Sequence, residues 1–165
     1  MSSAGAIDME QLGAAWNRVR ERLDEPAAER GLILGSGWGG VIEAFEVDEE
    51  LPYLDIPGLG RTGVPGHAGR MLLGRSGGIR TVIFQGRRHW YEGEGWTPVA
   101  LPVYLMKRMG VHDVLLTNAA GGVAPSLRPG DFVVIRDQIN AFGDNPLPGP
   151  HDPFSGERLP EHTPP

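Results

Sequence analysis

The segment Gly86-Arg87-Arg88-His89-Trp90-Tyr91-Glu92-Gly93 gathers two guanidiniums, an imidazole, a phenol and a carboxylate between two glycines. Buried without partners such groups are costly, so their concentration points to a ligand rather than to a core. The segment follows Thr81-Val82-Ile83-Phe84, an apolar run that reads as a buried strand. Arg87 and His89 then stand just past a strand's carboxyl end, where open α/β sheets keep their ligands. Two further apolar runs end in polar, glycine-rich turns. Gly31-Leu32-Ile33-Leu34 opens into Gly35-Ser36-Gly37-Trp38-Gly39-Gly40, and Val114-Leu115-Leu116 into Thr117-Asn118-Ala119-Ala120-Gly121-Gly122. If the three strands are parallel neighbours, their turns meet on one edge. Ser36 offers a hydroxyl between glycines that let backbone N–H groups approach an anion. Asn118 offers an amide, Ala119 and Ala120 expose their N–H groups, and Arg87 supplies fixed charge. His89 donates whether neutral or protonated. The set is an oxyanion cradle. A guanidinium ~4 Å from a phosphate charge gains roughly 4 kcal/mol at an effective dielectric near 20, before desolvation is subtracted.

Other readings of these residues exist. Gly35, Gly37 and Gly40 satisfy the G-x-G-x-x-G dinucleotide pattern, with Asp55 as the acidic partner, but Leu54-Asp55-Ile56-Pro57 does not read as a strand end. A Walker loop needs G-K-[ST], which the chain lacks, and a serine-hydrolase elbow needs glycine where Leu34 stands. His67, in Val64-Pro65-Gly66-His67-Ala68-Gly69, reads as a turn histidine or a ligand contact. His112 and His151 match no metal-site spacing, and no metal is expected. Arg88 is solvated or paired to a carboxylate; Glu92 is an arginine partner. Trp38, Trp90 and Trp96 are core or stacking residues.

The elements that must position this chemistry are legible from periodicity. Leu12, Trp16, Val19 and Leu23 recur at helical spacing behind Asp8 as a cap, and Pro26 closes the helix. Val41-Ile42-Glu43-Ala44-Phe45 reads as helical, and residues 53–65 as irregular. Met71-Leu72-Leu73 and residues 79–84 form a hairpin through Ser76-Gly77-Gly78. Thr97-Pro98 caps and starts a helix whose buried face is Leu101, Leu105 and Met109, with Gly110 as its stop. Val114-Leu115-Leu116 reads as a core strand and Phe132-Val133-Val134-Ile135 as a further one. Strands alternating with helices, plus one hairpin, predict an α/β fold with a mixed central β-sheet flanked by helices.

The 165 residues suffice for one domain with a core. A net charge of −6, without a basic stripe, argues against nucleic acid. Lys107 is the only lysine, so cationic recognition falls to arginine, which suits bidentate phosphate or carboxylate contacts. The absence of cysteine excludes disulfides and thiolate chemistry. No apolar run reaches membrane-spanning length, and no basic-then-apolar leader opens the chain, so a cytoplasmic protein is expected. Residues 1–8 are expected to be a loose N-terminus, and the proline-crowded residues 143–165 an irregular tail.

Five segments occur in an order that resembles one family: Leu34-Gly35-Ser36-Gly37, Val64-Pro65-Gly66-His67-Ala68-Gly69, the block from Gly86 to Gly93, Thr117-Asn118-Ala119-Ala120-Gly121-Gly122, and Ile135-Arg136-Asp137-Gln138-Ile139-Asn140. The chain resembles the purine nucleoside phosphorylases of the trimeric class. The resemblance implies a phosphorylase/hydrolase-like fold and a homotrimer. The implied reaction is phosphorolysis of purine (deoxy)ribonucleosides to free base and (deoxy)ribose 1-phosphate, a step of purine salvage, with inorganic phosphate as co-substrate and no other cofactor. It puts phosphate on Ser36, His67, Arg87, His89, Asn118 and the backbone of Ala119. It also puts Tyr91 on the ribose and Glu92 behind His89, with His89, Arg87 and Glu92 as the catalytic group. Such chains are longer, and their purine-contacting residues fall beyond residue 165. Residues 1–165 are therefore expected to be a single partial domain, incomplete on its C-terminal side, holding the phosphate-binding half. Methylthioadenosine phosphorylases share the same cradle and are an alternative within the family. An inactive fragment that binds phosphate or a full-length partner is the alternative outside enzymology.

Overall fold

A computed structural model describes residues 7–63, 68–139 and 141. The chain divides into two units, Met1–Asn118 and Ala119–Pro165. The first unit holds every helix and strand among the described residues.

Its frame is a five-stranded sheet of order β2-β3-β4-β1-β5, built from β1 (Arg30–Leu34), β2 (Glu46–Pro52), β3 (Arg70–Ser76), β4 (Ile79–Gln85) and β5 (Asp113–Leu116). β3 and β4 are the expected hairpin. Gly77 and Gly78 take φ of 58° and 81°, the left-handed pair that a two-residue turn between twisted strands needs. β4, β1 and β5 run parallel side by side, with Leu34 opposite Gln85 and Ile33 opposite Leu116. The mixed α/β sheet expected from the sequence is the one observed.

Helix α1 (Met9–Arg22) begins where Asp8 accepts the Gln11 N–H, and buries Leu12, Ala15 and Val19. Helix α2 (Thr97–Arg108) packs beside it, burying Leu101, Leu105 and Met106. Thr97 is not the cap that was expected. It is the first helical residue, and its Oγ1 accepts the backbone N–H of Asp8, joining the starts of the two helices. Gly110 ends the second helix with φ of 83°. On the other sheet face, a 3-10 turn (Gly39–Ala44) replaces the helix expected at 41–45. With its flanks it lays Trp38, Val41, Ile42 and Phe45 on Leu32, Leu34, Leu72 and Ile83.

Three further sequence readings need correction. β2 was missed because its acidic run shows no clean alternation; as an edge strand it buries little beyond Leu51, and it shifts register between Val47 and Glu49. β5 is a strand but not a core one. It borders the sheet, and Val114, Leu115 and Leu116 stay about half exposed. Phe132-Val133-Val134-Ile135 is not a strand: the described residues place no ladder beside it, and its side chains are exposed. Apolar β-branched residues adopt a strand only where a neighbour supplies hydrogen bonds and a packing surface. In this second unit the described order is local, with the Leu127 N–H on the Ala124 carbonyl and the Arg128 N–H on the Asp131 carboxylate. Among the described residues no helix is long and apolar enough to cross a membrane.

A Cβ on Gly35 would lie 2.5 Å from the Thr117 carbonyl oxygen, a backbone atom with no rotamer to yield. Gly35→Ala is therefore expected to pry β5 from β1, destabilising the sheet edge by about 1–3 kcal/mol. Amide exchange in β5 should then accelerate while that in the β3–β4 hairpin stays at its wild-type rate.

Candidate anion-binding site

The carboxyl ends of β4, β1 and β5 lie in one row, and backbone and hydroxyl bonds lock the turns that follow them. The Gly86 N–H donates to the Leu34 carbonyl at 3.1 Å. Thr117 Oγ1 donates to the Ile33 carbonyl at 3.3 Å and accepts the Gly35 N–H at 3.0 Å. The buried phenol of Tyr53 donates to the Gly86 carbonyl at 2.7 Å, and its burial pushes its pKa above the ordinary value. Gly37 and Gly86 hold φ of 85° and 107°, which frees the chain to turn at the rim rather than prolong the strands. Trp38 Nε1 reaches the Asn118 carbonyl at 3.4 Å, tying the Ser36 turn to the Asn118 turn; both Ser36 and Asn118 are exposed.

Arg87 crosses this rim. Its Nη1 donates to the Thr117 carbonyl at 2.9 Å and its Nε to His89 Nε2 at 3.3 Å. An arginine has no acceptor, so His89 Nε2 is the accepting nitrogen and the imidazole proton sits on Nδ1. Nδ1 faces Glu92 Oε1 at 2.9 Å. The same Oε1 accepts the His89 backbone N–H at 2.8 Å, while the Glu92 N–H closes the 3-10 turn Trp90–Glu92 on the His89 carbonyl. His89 thus spends its neutral donor on Glu92, and toward the rim it donates only as imidazolium. Tyr91 stacks on the His89 ring at 4.9 Å and is 67% exposed, a half-open aromatic face beside the cradle.

Behind His89 stands Arg88, 3% exposed. Its Nε donates to Glu92 Oε2 at 2.9 Å, its Nη1 to the Leu59 carbonyl, and its Nη2 to Glu94. Burial works against its charge, but the hydrogen bonds it donates to Glu94 and Glu92 outweigh that and raise its pKa. Burial likewise works against the Glu92 carboxylate, while hydrogen bonds from His89 and Arg88 overcome it and hold the carboxyl below its usual range.

The structure therefore joins Arg87, His89 and Glu92 in one chain of contacts, stacks Tyr91 on it, and sets Ser36 and Asn118 on the adjoining turns. His67 lies outside the described residues. Ala119 belongs to the second unit. Thr117 was quoted in the sequence only as part of a motif, yet its hydroxyl fastens the β1 and β5 ends. The signal was present, a threonine directly after an apolar run. Arg88 is the paired rather than the solvated arginine. Asp55, required by the dinucleotide reading, meets Arg22 at 3.5 Å in a surface ion pair.

Glu92 is expected to leave a mark on acid stability. Its folded pKa is depressed, so its contribution is complete above the ordinary carboxylate range and is lost as pH falls through the folded value. Urea midpoints measured from pH 7 downward should fall for the wild type. Glu92→Gln should start lower and fall less steeply; parallel curves would contradict the linkage.

Sequence comparison agrees with the geometry. The Phosphorylase superfamily profile matches residues 29–165. Purine nucleoside phosphorylase 1 of Geobacillus stearothermophilus is 47% identical over 131 residues, 79% of this chain and 48% of that protein. Purine nucleoside phosphorylase 1 of Bacillus subtilis is 43% identical over 143 residues, 87% of this chain and 52% of that protein. Isoform 2 of the Schistosoma mansoni purine nucleoside phosphorylase, solved with cytosine and ribose-1-phosphate, superimposes with a TM-score of 0.79 at 38% identity. That match covers 96% of this chain and 56% of that one. The chain spans about half the length of the curated relatives it matches. With its sheet order, its row of strand-end turns and this profile in agreement, the chain belongs to the Phosphorylase superfamily.

Proposed function

We propose that this chain carries the phosphate-binding half of a purine nucleoside phosphorylase. The observation that supports the reading most directly is the meeting of Arg87, His89 and the Thr117 carbonyl where three parallel strands end. The Arg87 guanidinium donates to the Thr117 carbonyl and to His89 Nε2, both neutral acceptors. A phosphate dianion is a stronger acceptor than a carbonyl or an imidazole nitrogen, and would draw Arg87 onto itself. Ser36, Asn118, His67 and the Ala119 N–H complete the proposed cradle, and no metal or organic cofactor enters the reading.

In the reaction a phosphate oxygen forms a bond to the anomeric carbon of a purine nucleoside as the bond to the purine nitrogen breaks. The bonding pair leaves on the base, which takes up a proton. Charge accumulates on the sugar as in an oxocarbenium ion, so a held dianion both attacks and stabilises it. Arg87 and His89 position the dianion, Glu92 orients His89, and the exposed ring of Tyr91 is placed to meet the ribose. No residue of this chain is assigned to the purine, and the ordinary purine enzyme is preferred to a methylthioadenosine phosphorylase on Gly66-His67-Ala68-Gly69 and the Gly86 to Gly93 block. The proposed setting is a cytoplasmic homotrimer, with residues 1–165 as one partial domain. A second reading, a chain without turnover that binds phosphate or a full-length partner, draws on the exposed β5 edge.

Calorimetric titration with inorganic phosphate and a coupled phosphorolysis assay with inosine test both readings. Saturable phosphate binding with turnover supports the enzyme. Binding without turnover supports the second reading, and no binding removes the enzyme. Hydrogen bonds to charged groups contribute about 1.5–3 kcal/mol each, so Arg87→Met should weaken phosphate roughly ten- to a hundredfold.

A further inference from the structure

We propose that Arg88 is a positioning residue of the anion site: by gripping Glu92 Oε2 it turns Oε1 toward His89, keeps the imidazole proton on Nδ1, and so presents Nε2 to Arg87 and the rim. The inference rests on the phosphate-site reading of that rim, but its geometry stands apart from turnover.

All three arms of the guanidinium are engaged, with Glu92, Glu94 and the buried Leu59 as partners. The surrounding backbone leaves space for it. A Cβ on Gly60, whose φ is 61°, would lie 2.8 Å from Arg88 Nη1, and one on Gly63 would lie 3.3 Å from Glu92 Oε2. The loop after the 3-10 turn Tyr53–Asp55 thus accommodates both the guanidinium and the carboxylate it holds. Glu92 uses one oxygen for Arg88 and the other for the His89 N–H and Nδ1, so rotation of the carboxylate disturbs all three bonds at once. A buried arginine that only balanced charge could be replaced by lysine. An arginine that sets a carboxylate's plane cannot, because an ammonium lacks the planar fork. His89 selects its tautomer by the bond made at its far nitrogen, which links a residue pointing away from the rim to the donor pattern at the rim.

Long-range proton–nitrogen NMR of the ¹⁵N-labelled full chain reads the tautomer directly, in buffer free of phosphate and sulfate and above neutral pH. His89→Gln identifies the His89 signals by their loss. The wild type should show a protonated Nδ1 and a bare Nε2. Arg88→Lys and Arg88→Met should both show the proton shared between the two nitrogens. Where Arg88→Met does not fold, Arg88→Lys, which keeps a cation between Glu92 and Glu94, carries the test. A wild-type His89 protonated on Nε2, or an unchanged Nδ1 tautomer in folded Arg88→Lys, overturns the proposal. Titrating the wild-type sample with inorganic phosphate reads the anion site separately from the tautomer. Wild-type protein that binds no phosphate yet shows the tautomer change defeats the phosphate reading alone. Phosphate binding with a tautomer indifferent to Arg88 defeats this inference alone.

Discussion

The Thr117 hydroxyl is the fastening on which the rim depends. It donates to the Ile33 carbonyl and accepts the Gly35 N–H, so one buried side chain closes the backbone of β1 just where β5 leaves the ladder. Backbone groups beyond the last ladder bond must find partners or water, and a buried one left unpaired costs about 1–3 kcal/mol. With Gly35 held, Ser36 turns out at a set place. With the Thr117 carbonyl turned to the rim, Arg87 has an anchor on the neighbouring strand end. On the other flank Tyr53 fixes the Gly86 carbonyl, so the turn that delivers Arg87 and His89 is held from below.

Upon this frame Glu94, Arg88 and Glu92 alternate in sign, and the neutral His89 imidazole links Glu92 to Arg87. Burial opposes charge on both Arg88 and Glu92, and each is kept ionised by its partners. Taking one member from such a network leaves its neighbour unpaired out of water, which costs far more than the net value of the pair. The arrangement buys orientation more than stability. The Glu92 carboxylate fixes an imidazole, and the imidazole and the Thr117 carbonyl together fix a guanidinium at the place where an anion is expected.

Among the described residues the two borders of the sheet differ in character. β2 at one border carries glutamates and a register shift, features that discourage further pairing. β5 at the opposite border carries Val114, Leu115 and Leu116, half exposed and without such protection. The relatives are about twice as long as the part of them that this chain matches.

Much was readable before any coordinates. Apolar runs bounded by glycines marked β1, β3, β4 and β5, helical spacing marked both helices, and residue type alone singled out Ser36, Arg87, His89 and Asn118 as partners for an anion. These are local properties, carried by periodicity and by side-chain chemistry. Adjacency is not local. That β4, β1 and β5 are parallel neighbours, that Thr117 rather than a glycine turn locks their ends, and that Arg88 faces inward between Glu92 and Glu94 follow from packing across segments far apart in the chain. The same cause explains the misreadings. An acidic stretch became β2 because β3 offered it a ladder, and Phe132-Val133-Val134-Ile135 stayed irregular with no ladder beside it among the described residues. Hydrogen-bond partners are assigned in space, and a one-dimensional pattern records only which groups are able to seek them.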